Sequence, residues 1–338
     1  MKITLLSFAV SAIMVAMTLT TPHAALAADK LIIAHRGASG YLPEHTLAAK
    51  ALAHGMNPDY IEQDVVLTKD GVPVVLHDHF LDTVTDVAQK FTARKRDDGR
   101  YYAIDFTLAE IKTLKVFERI DLKTGKQVFP DRFPSGLSSF TVPTLEEELE
   151  LIKGLNASSG KAIGIYPEIK APAFHQSEGQ DISKIVLKVL KKHGYAGKDD
   201  AVYVQCFDWN ETQRIRTELG YQGKLIQLIA ENSWDESPSV DFDTLRQKEG
   251  LISIAKIADG IGPWIAHIVD DSGTPTDLVT NAHAAGLELH PYTLRADALP
   301  NWAKTFDEAM SAILFKAGAD GLFTDFPDLA VNHLQARQ

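Results

Sequence analysis

The feature that most constrains this chain is an alternation of short β-branched runs with helical stretches, which starts near residue 31 and continues to residue 324. Repeated strand–helix units of this kind indicate a parallel sheet, because each helix carries the chain back to the start of the next strand. About eight such units in a chain of 338 residues favour a closed (β/α)8 TIM barrel, an α/β fold, over an open doubly wound sheet.

The same pattern places the individual elements. It predicts strands at residues 31–34, 60–67, 73–76, 163–169, 202–206, 224–229, 260–262, 287–291 and 321–324. It predicts helices at residues 46–54, 145–155, 182–193, 211–219, 276–285 and 306–317. A turn at Lys69-Asp70-Gly71 is typical of a hairpin between the second and third strands. We see no linker between two units, so we expect one domain over residues 28–338.

Residues 80–141 interrupt this rhythm and are too long and polar for an ordinary βα loop. We interpret them as an insertion between the second and third βα units, with a short helix near residues 108–114. The insertion contains a basic run at residues 94–100. We favour a solvated surface for this run. The alternative is a cap over the barrel mouth that helps to recruit an anionic substrate.

The first 27 residues have the layout of a secretory signal peptide. Lys2 precedes a mostly apolar stretch at residues 3–19, and Ala25-Leu26-Ala27 forms a small-x-small cleavage site. We expect cleavage after Ala27 and an exported product without a stable membrane anchor. A membrane anchor is the alternative, but the apolar stretch is marginal in length and is interrupted by serine and threonine.

Charge and cysteine content narrow the class of partners. The formal net charge is −11, which disfavours nucleic acid and anionic membranes. An anionic substrate therefore has to meet local positive charge inside a site. Cys206 is the only cysteine, so an internal disulfide is excluded and stability must come from the core and from any bound metal.

Acidic side chains stand on two predicted strands. Glu62 and Asp64 are two residues apart, so both carboxylates face the same side of their strand, and Glu168 lies near the end of another strand. Strand ends of a parallel barrel meet at its C-terminal face, where these carboxylates would repel each other without a cation. The oxygen-only set suits Ca²⁺ or Mg²⁺, and the scarcity of histidine among these candidate ligands argues against zinc.

Histidines and cations follow neighbouring strands. His35 or His77 alone would more readily be structural, but the two beside a metal site form a general acid–base pair for phosphoryl transfer. Arg36 and Lys170 are candidates to bind phosphate oxygens. The alternative for Arg36 is a structural salt bridge to a neighbouring carboxylate.

Three more polar residues are expected to support this group. Glu44, at a helix start, is expected to point back into the mouth as a partner of the metal or of His35. Asp78 is expected to orient a histidine or to cap a helix. Gln205 ends a strand beside the site.

Taken together, these residues resemble a known family. The motifs are His35-Arg36-Gly37, Pro43-Glu44-His45-Thr46, Glu62-Gln63-Asp64-Val65, His77-Asp78, Pro143-Thr144-Leu145-Glu146-Glu147, Glu168-Ile169-Lys170 and Asp320-Gly321-Leu322-Phe323-Thr324-Asp325. Their order and spacing over about residues 31–333 resemble the glycerophosphodiester phosphodiesterase family. The long insertion and the segments at residues 166–172 and 205–207 are similar to its bacterial periplasmic branch. Most members have Asn where His45 stands, which leaves the role of His45 open.

The resemblance implies a fold and a set of site residues. The fold would be a TIM barrel. The metal ligands would be Glu62, Asp64 and Glu168, the acid–base pair His35 and His77, and the phosphate contacts Arg36 and Lys170. The branch implies a periplasmic enzyme with Ca²⁺ as cofactor, and Mg²⁺ is the alternative.

The resemblance also implies a reaction. The enzyme would be a phosphoric diester hydrolase that converts glycerophosphodiesters, such as glycerophosphocholine and glycerophosphoethanolamine, to sn-glycerol 3-phosphate and the free alcohol. Such an activity serves glycerol metabolism and phospholipid breakdown. The nucleophile would be the neighbouring glycerol hydroxyl, and water would then open a cyclic phosphate. We assign His35 as base and His77 as acid, and the reverse order fits the same residues.

Two other functions remain open at this stage. A lipid-acting relative, such as a phospholipase D-like toxin or a phosphatidylinositol-specific phospholipase C, would cleave intact lipid, but the sequence shows no exposed apolar hairpin or basic interfacial helix. A binding protein would capture glycerophosphodiesters without cleaving them, but binding needs no acid–base pair. A homodimer is compatible with either activity.

Overall fold

The computed structural model describes residues 30–337, so the predicted signal peptide at residues 1–27 lies outside the described part of the chain. Within residues 30–337, the strands form a single sheet. They are β1 (Leu31–Ala34), β2 (Tyr60–Leu67), β3 (Pro73–Val75), β4 (Gly164–Ile169), β5 (Tyr203–Cys206), β6 (Lys224–Ile229), β7 (Gly260–Pro263), β8 (Glu288–Leu289) and β9 (Gly321–Thr324).

All of these strands except β3 run parallel, in the spatial order β8-β7-β6-β5-β4-β2-β1-β9, while β3 pairs antiparallel with β2. The two ends of this order meet through the segment after β8. Asp320 N donates to Leu289 O at 3.0 Å, Phe323 N to Pro291 O at 3.0 Å, and Leu294 N to Phe323 O at 2.9 Å. The sheet therefore closes on itself, and the predicted TIM barrel is confirmed.

The helices lie between the strands in the expected alternation. They are α1 (Leu47–Met56), α2 (Val87–Lys90), α3 (Leu108–Ile111), α4 (Leu145–Ser159), α5 (Pro172–Ser177), α6 (Ile182–Lys192), α7 (Trp209–Thr217), α8 (Phe242–Leu245), α9 (Lys248–Ile254), α10 (Leu278–Ala284), α11 (Phe306–Ser311) and α12 (Pro327–Gln335). Short 3-10 turns occur at Thr92–Arg94, Ala103–Asp105, Asn232–Trp234 and Ile265–His267, and α11 continues as a π-helical turn at Ala312–Lys316.

Helix starts follow from local side-chain chemistry. The Thr46 hydroxyl accepts from Ala49 N and begins α1 directly after the first strand and its loop. Thr144 and Glu147 form a capping box that begins α4. These caps hold the loops at the C-terminal ends of β1 and of the β2–β3 hairpin, which are the loops that carry His35 and His77.

The bore of the barrel is filled by a layer of large side chains. Tyr166 and Tyr203 stack with ring centroids 4.9 Å apart, and Tyr166 also packs against Phe323. His290 is fully buried in this layer and shares a 2.9 Å hydrogen bond with the Tyr166 hydroxyl. The layer fills the barrel below its C-terminal mouth.

The insertion lies inside the second βα unit, after the β2–β3 hairpin and before α4, one helix earlier than we expected. It has an apolar core of its own, which includes Leu81, Phe106 and Leu114 and continues onto Val74 of β3. The helix predicted at residues 108–114 is present as the shorter α3. This core fixes the insertion against the barrel.

The basic run of the insertion is neutralised locally. Arg96 pairs with Asp105 at 2.7 Å, and Arg100 donates two 2.8 Å hydrogen bonds to Asp82. These pairs agree with a solvated surface for the run. No helix within residues 30–337 combines the length and apolarity that a membrane span requires.

Candidate active site

The predicted site residues converge at the C-terminal mouth of the barrel, around a cavity of about 270 Å³. The cavity is lined by His35, Arg36, Glu62, Asp64, His77, Glu168, Lys170, Gln205, Phe207, Leu228, Trp234, Glu236, Trp264, Tyr292, Thr293, Arg295 and Phe323. Every residue assigned to catalysis, phosphate or metal from the sequence is in this set. Strand register explains the convergence, because Asp64 pairs with Glu168, and Glu168 pairs with Gln205.

The carboxylates of Glu62, Asp64 and Glu168 form a compact buried group, with ligand oxygens all within 4.8 Å of one another. Burial, followed by the charge of Asp64, raises the pKa of Glu62 to about 8. Within the described residues, Asp64 Oδ1 and Gln205 Oε1 are buried without a hydrogen-bond partner. A hard divalent cation would offset the repulsion between these carboxylates and would bind the unpaired buried oxygens. This donor set therefore fits a metal.

His35 is held from behind. Its Nδ1 lies 2.6 Å from Asp325 Oδ1, and since a carboxylate only accepts, Nδ1 carries the proton and Nε2 is left unprotonated. Nε2 lies 3.8 Å from Glu62 Oε2, on the cavity side. Burial, followed by the charge of Arg36, lowers the pKa of His35 to about 4. A neutral imidazole with a free Nε2 is competent to accept a proton.

His77 follows β3 and is held in the same way. Its Nδ1 lies 2.6 Å from Asp78 Oδ1. Its side chain is 28% exposed, against 8% for His35. Burial, followed by Arg36, lowers the pKa of His77. The prediction that Asp78 orients a histidine therefore agrees with the structure.

Arg36 adopts a left-handed backbone conformation with φ of 56°. In that conformation its N–H donates to Glu62 Oε2 at 2.8 Å, while its guanidinium pairs with Glu44 at 3.0 Å. The salt-bridge alternative is thus present in part. Arg36 Nε is buried without a hydrogen-bond partner among the described residues and lies 3.7 Å from Asp64 Oδ2. Arg36 also lines the cavity, so its guanidinium lies beside the space where a ligand would bind.

Lys170 lines the same cavity as Arg36. Its Nζ pairs with Glu168 at 2.8 Å and with Glu236 at 3.3 Å. Gln205 Nε2 donates to Glu62 Oε1 at 3.2 Å and so steadies one candidate ligand. Both residues lie where the sequence predicts them, at the ends of their strands.

Glu44 differs from expectation. It contacts neither His35 nor the carboxylate group directly. It pairs with Arg36 and accepts two hydrogen bonds from Arg119, at 2.6 and 3.0 Å. The reason is that Arg119, a residue of the insertion, reaches the barrel mouth and attracts the carboxylate. These two cations hold the pKa of Glu44 well below its usual range, against the effect of burial.

The role left open for His45 is visible in the structure. His45 Nε2 lies 2.7 Å from Asp64 Oδ2, and its Nδ1 lies 3.1 Å from Lys50 Nζ. Lys50 is fully buried and pairs with Glu148 at 3.1 Å. His45 therefore orients a candidate metal ligand from the side away from the cavity.

Sequence reasoning missed several contributors. Arg119 and Arg132 come from the insertion, where no strand register predicts their position. Glu236 and Trp234 lie on the loop after β6, in a run without a recognisable motif. Asp325 was expected at the mouth, since it closes the last predicted strand and stands in the last motif, but its contact with His35 was not predicted.

Comparison with known proteins identifies the family. Residues 35–329 match the glycerophosphoryl diester phosphodiesterase family. The chain belongs to this family. A glycerophosphodiester phosphodiesterase of Haemophilus influenzae is 50% identical, over 91% of this chain and 90% of that protein. One of Treponema pallidum is 41% identical, over 92% and 93%. The family and the class of enzyme predicted from the motifs are confirmed.

Solved structures of similar proteins share the fold. One from Silicibacter pomeroyi DSS-3 covers 92% of this chain and 94% of its own, with a TM-score of 0.69 and 24% identity. A phosphodiesterase from Oleispira antarctica, solved in complex with the product sn-glycerol-3-phosphate, covers 90% and 96%, with a TM-score of 0.62 and 22% identity. At these identities the likeness establishes the barrel.

Proposed function

We propose that this family member hydrolyses glycerophosphodiesters, such as glycerophosphocholine and glycerophosphoethanolamine, to sn-glycerol 3-phosphate and the free alcohol. One observation carries the proposal. A buried carboxylate triad and two carboxylate-held histidines line a single cavity at the barrel mouth. The family's activity and the names of the 50% and 41% identical relatives support the same substrate class.

Glu62, Asp64 and Glu168 would hold a divalent cation, which we propose is Ca²⁺, with Mg²⁺ as the alternative. Gln205 Oε1 adds an unpaired buried oxygen beside them. When bound, the cation supplies Lewis-acid polarisation of the phosphate and offsets the charge of the carboxylates. Ca²⁺ is favoured because it accepts several oxygen ligands without strict octahedral geometry.

The histidines would move the protons. His35, with Nε2 unprotonated, takes the proton from the glycerol hydroxyl beside the phosphate. The freed oxygen forms a new bond to phosphorus while the bond from phosphorus to the leaving alcohol breaks. His77 would enter this step protonated on both ring nitrogens, a form that the negative charge of the bound phosphate favours, and would give its Nε2 proton to the leaving oxygen while Nδ1–H stays on Asp78. Water then opens the cyclic phosphate with the two histidines in reversed roles.

Cations and aromatic rings would bind the substrate. Arg36 and Lys170 both line the cavity and would bind the non-bridging phosphate oxygens, which gain negative charge in the transition state. Phe207, Trp264 and Tyr292 form an apolar wall for the carbon skeleton. Local cations thus allow an acidic protein to bind an anion.

A coupled assay tests the proposal. Release of sn-glycerol 3-phosphate from glycerophosphocholine would be followed with a glycerol-3-phosphate dehydrogenase, with and without a chelator. We expect turnover that chelation abolishes and added Ca²⁺ restores. Binding of glycerophosphocholine without turnover in saturating Ca²⁺ would instead identify a binding protein. Full activity after exhaustive chelation would reject the metal role.

Intact phospholipid is the second candidate substrate, because the structure shows a feature that the sequence pattern did not. Leu122 and Val128 are each 46% exposed on a hairpin of the insertion, and Lys123 and Lys126 lie between them. An apolar and basic hairpin is a feature of proteins that act at lipid surfaces. Cleavage of phosphatidylcholine vesicles in preference to glycerophosphocholine would favour this substrate.

We also propose that the protein is periplasmic and lacks a stable membrane anchor. The layout of residues 1–27 supports export. Mass spectrometry of the protein from a periplasmic extract should find Ala28 at the N-terminus, and an uncleaved chain in the membrane fraction would contradict the proposal. A homodimer stays a prediction, and sedimentation equilibrium would decide it.

A further inference from the structure

We propose that Arg119 and Arg132, both from the insertion, are positioning residues that orient the two histidines through their aspartates. This inference rests on the proposed function for the roles of His35 and His77. It assigns the insertion a part in the chemistry that differs from capping the mouth or recruiting substrate.

The first arm runs through β3. His77 Nδ1 lies 2.6 Å from Asp78 Oδ1, and Arg119 donates to Asp78 Oδ2 at 2.6 Å. Thr83 donates to the same oxygen at 2.9 Å. The other edge of the Arg119 guanidinium is fixed by its two hydrogen bonds to Glu44. Burial alone would raise the pKa of Asp78, but Arg119 and His77 hold it well below the usual range.

The second arm repeats this pattern through β9. His35 Nδ1 lies 2.6 Å from Asp325 Oδ1, and Arg132 donates to Asp325 Oδ2 at 2.7 Å. Arg132 is anchored on its other side by Asp297, at 2.7 and 3.0 Å. Arg295 donates to Asp325 Oδ2 at 2.8 Å. Each histidine is therefore the end of a His–Asp–Arg chain whose arginine comes from the insertion.

The physical consequence concerns the aspartates. An aspartate that holds a histidine by one oxygen can still rotate about its own side-chain bonds. A charge-assisted hydrogen bond to the second oxygen removes this freedom and fixes both the tautomer and the direction of the imidazole. A small misplacement of a proton-transfer group is costly for the chemical step, so we expect the arginines to act on kcat more than on KM.

The test compares Arg119→Ala and Arg132→Ala with a matched control, Arg100→Ala. Arg100 also belongs to the insertion and donates two 2.8 Å hydrogen bonds to an aspartate, Asp82, which holds no histidine. Each protein would be assayed in Ca²⁺ on glycerophosphocholine and on the p-nitrophenyl ester of glycerol 3-phosphate. Nitrophenolate leaves without a proton, so the second substrate does not need the general acid.

We expect Arg119→Ala to lower kcat on glycerophosphocholine by about 10- to 100-fold, with KM changed less than about threefold, and to change kcat on the nitrophenyl ester by less than about threefold. Arg132→Ala should lower kcat on both substrates. If Arg119→Ala instead lowers kcat on both substrates and Arg132→Ala lowers it only on glycerophosphocholine, the proposal is also supported. His77 is then the base and His35 the acid. Guanidinium at millimolar concentration should partly restore kcat of Arg119→Ala.

Two outcomes would overturn the proposal. The first is a kcat loss no larger than that of Arg100→Ala, and the second is a loss confined to KM. Thermal unfolding of the three variants would separate a general loss of stability from a loss of positioning. The imidazole ¹⁵N spectrum offers a readout without substrate: the Nδ1–H tautomer of His77 should be lost in Arg119→Ala and kept in Arg100→Ala. That spectrum tests whether Arg119 orients His77 through Asp78 even if the wild-type protein releases no glycerol 3-phosphate.

Discussion

The candidate site has two halves that are built in different ways. The barrel half consists of side chains on or just after parallel strands, and strand register brings Glu62, Asp64 and Glu168 together. The insertion half consists of Arg119 and Arg132, which reach the mouth from a segment with its own apolar core. The barrel half holds groups that would touch substrate or metal, whereas the arginines of the insertion half donate their hydrogen bonds to residues that support those groups and line a second cavity beside His35 and His77. Substitutions should therefore affect activity more strongly in the barrel half.

The largest effect is expected from Asp64→Asn. This change keeps the volume and a hydrogen-bond acceptor for His45 but removes one charge from the triad. We expect a loss of activity of about 10³-fold and weaker Ca²⁺ binding, because metal assistance is worth several kcal/mol of transition-state stabilisation. Steady-state assays and calorimetric Ca²⁺ titration measure the two effects. Unchanged Ca²⁺ affinity would show that the triad is not the metal site.

The next effect is expected from His35→Ala, which removes one proton-transfer group from the barrel half. Activity on glycerophosphocholine should fall by about 10²-fold, the lower end of what one general acid–base group contributes. His283→Ala is the control, since His283 lies on α10 at the surface, and it should retain activity within about twofold. Near-normal turnover by His35→Ala would show that His35 of the barrel half is not a proton-transfer group.

Glu44→Gln tests the residue where the halves meet, since Glu44 pairs with both Arg36 and Arg119. Loss of a buried charge partner should lower activity by about 10-fold, because charge-assisted hydrogen bonds contribute roughly 1.5–3 kcal/mol. Assays and denaturant unfolding of the same preparation measure activity and stability. A defect in unfolding alone would mean that Glu44 joins the halves without serving the chemistry.

A smaller effect, on stability, is expected from Glu118, which precedes Arg119 in the insertion. Glu118 is 2% exposed, and burial, followed by Glu44, raises its pKa from the ordinary 4.5 to about 8. The folded state thus holds this proton where the unfolded state has lost it. The stability that the proton contributes is fully present below pH 4.5 and is lost as the pH rises through 8.

Glu118→Gln removes this dependence. Relative to the variant, the wild-type protein should lose roughly 1–3 kcal/mol of unfolding free energy between pH 5 and pH 8, measured by denaturant unfolding in Ca²⁺. Comparison with the variant isolates Glu118 from other buried carboxyls. Glu249→Gln, an exposed control on α9, should leave the pH profile unchanged. Parallel profiles for wild type and Glu118→Gln would refute the prediction.

The smallest effect is expected from Leu122→Ser combined with Val128→Ser on the exposed hairpin. Within residues 30–337, the active-site cavity is lined by neither of these side chains. Turnover of glycerophosphocholine should therefore change by less than about twofold. Vesicle sedimentation of both proteins measures any contact with lipid. A large loss of glycerophosphocholine turnover would show that the exposed hairpin of the insertion also contributes to activity.

The difference between the halves also explains what could be read from the sequence. Side chains that alternate on a strand have a known direction, and parallel strands end at one face, so the positions of Glu62, Asp64 and Lys170 followed from the pattern. The barrel itself followed from the same alternation.

Arg119 and Arg132 could not be found in this way. Loop residues have no period, and their position depends on how the insertion's core docks on β3. The expected partner of Glu44 was wrong for the same reason, since its actual partner Arg119 comes from that loop. The basic run at residues 94–100 was the conspicuous charge signal of the insertion, but its Arg96 and Arg100 pair with neighbouring acids.

The pairing of β1 with β9 has a consequence for the order in which the protein becomes active. His35 and its partner Asp325 are 290 positions apart in the chain. During biosynthesis His35 is therefore made well before Asp325. A nascent or C-terminally truncated polypeptide therefore carries the histidine without the carboxylate that fixes its tautomer. Pairing of β9 with β1 is the event that assembles the His35 arm, so catalytic competence requires synthesis to proceed past Asp325.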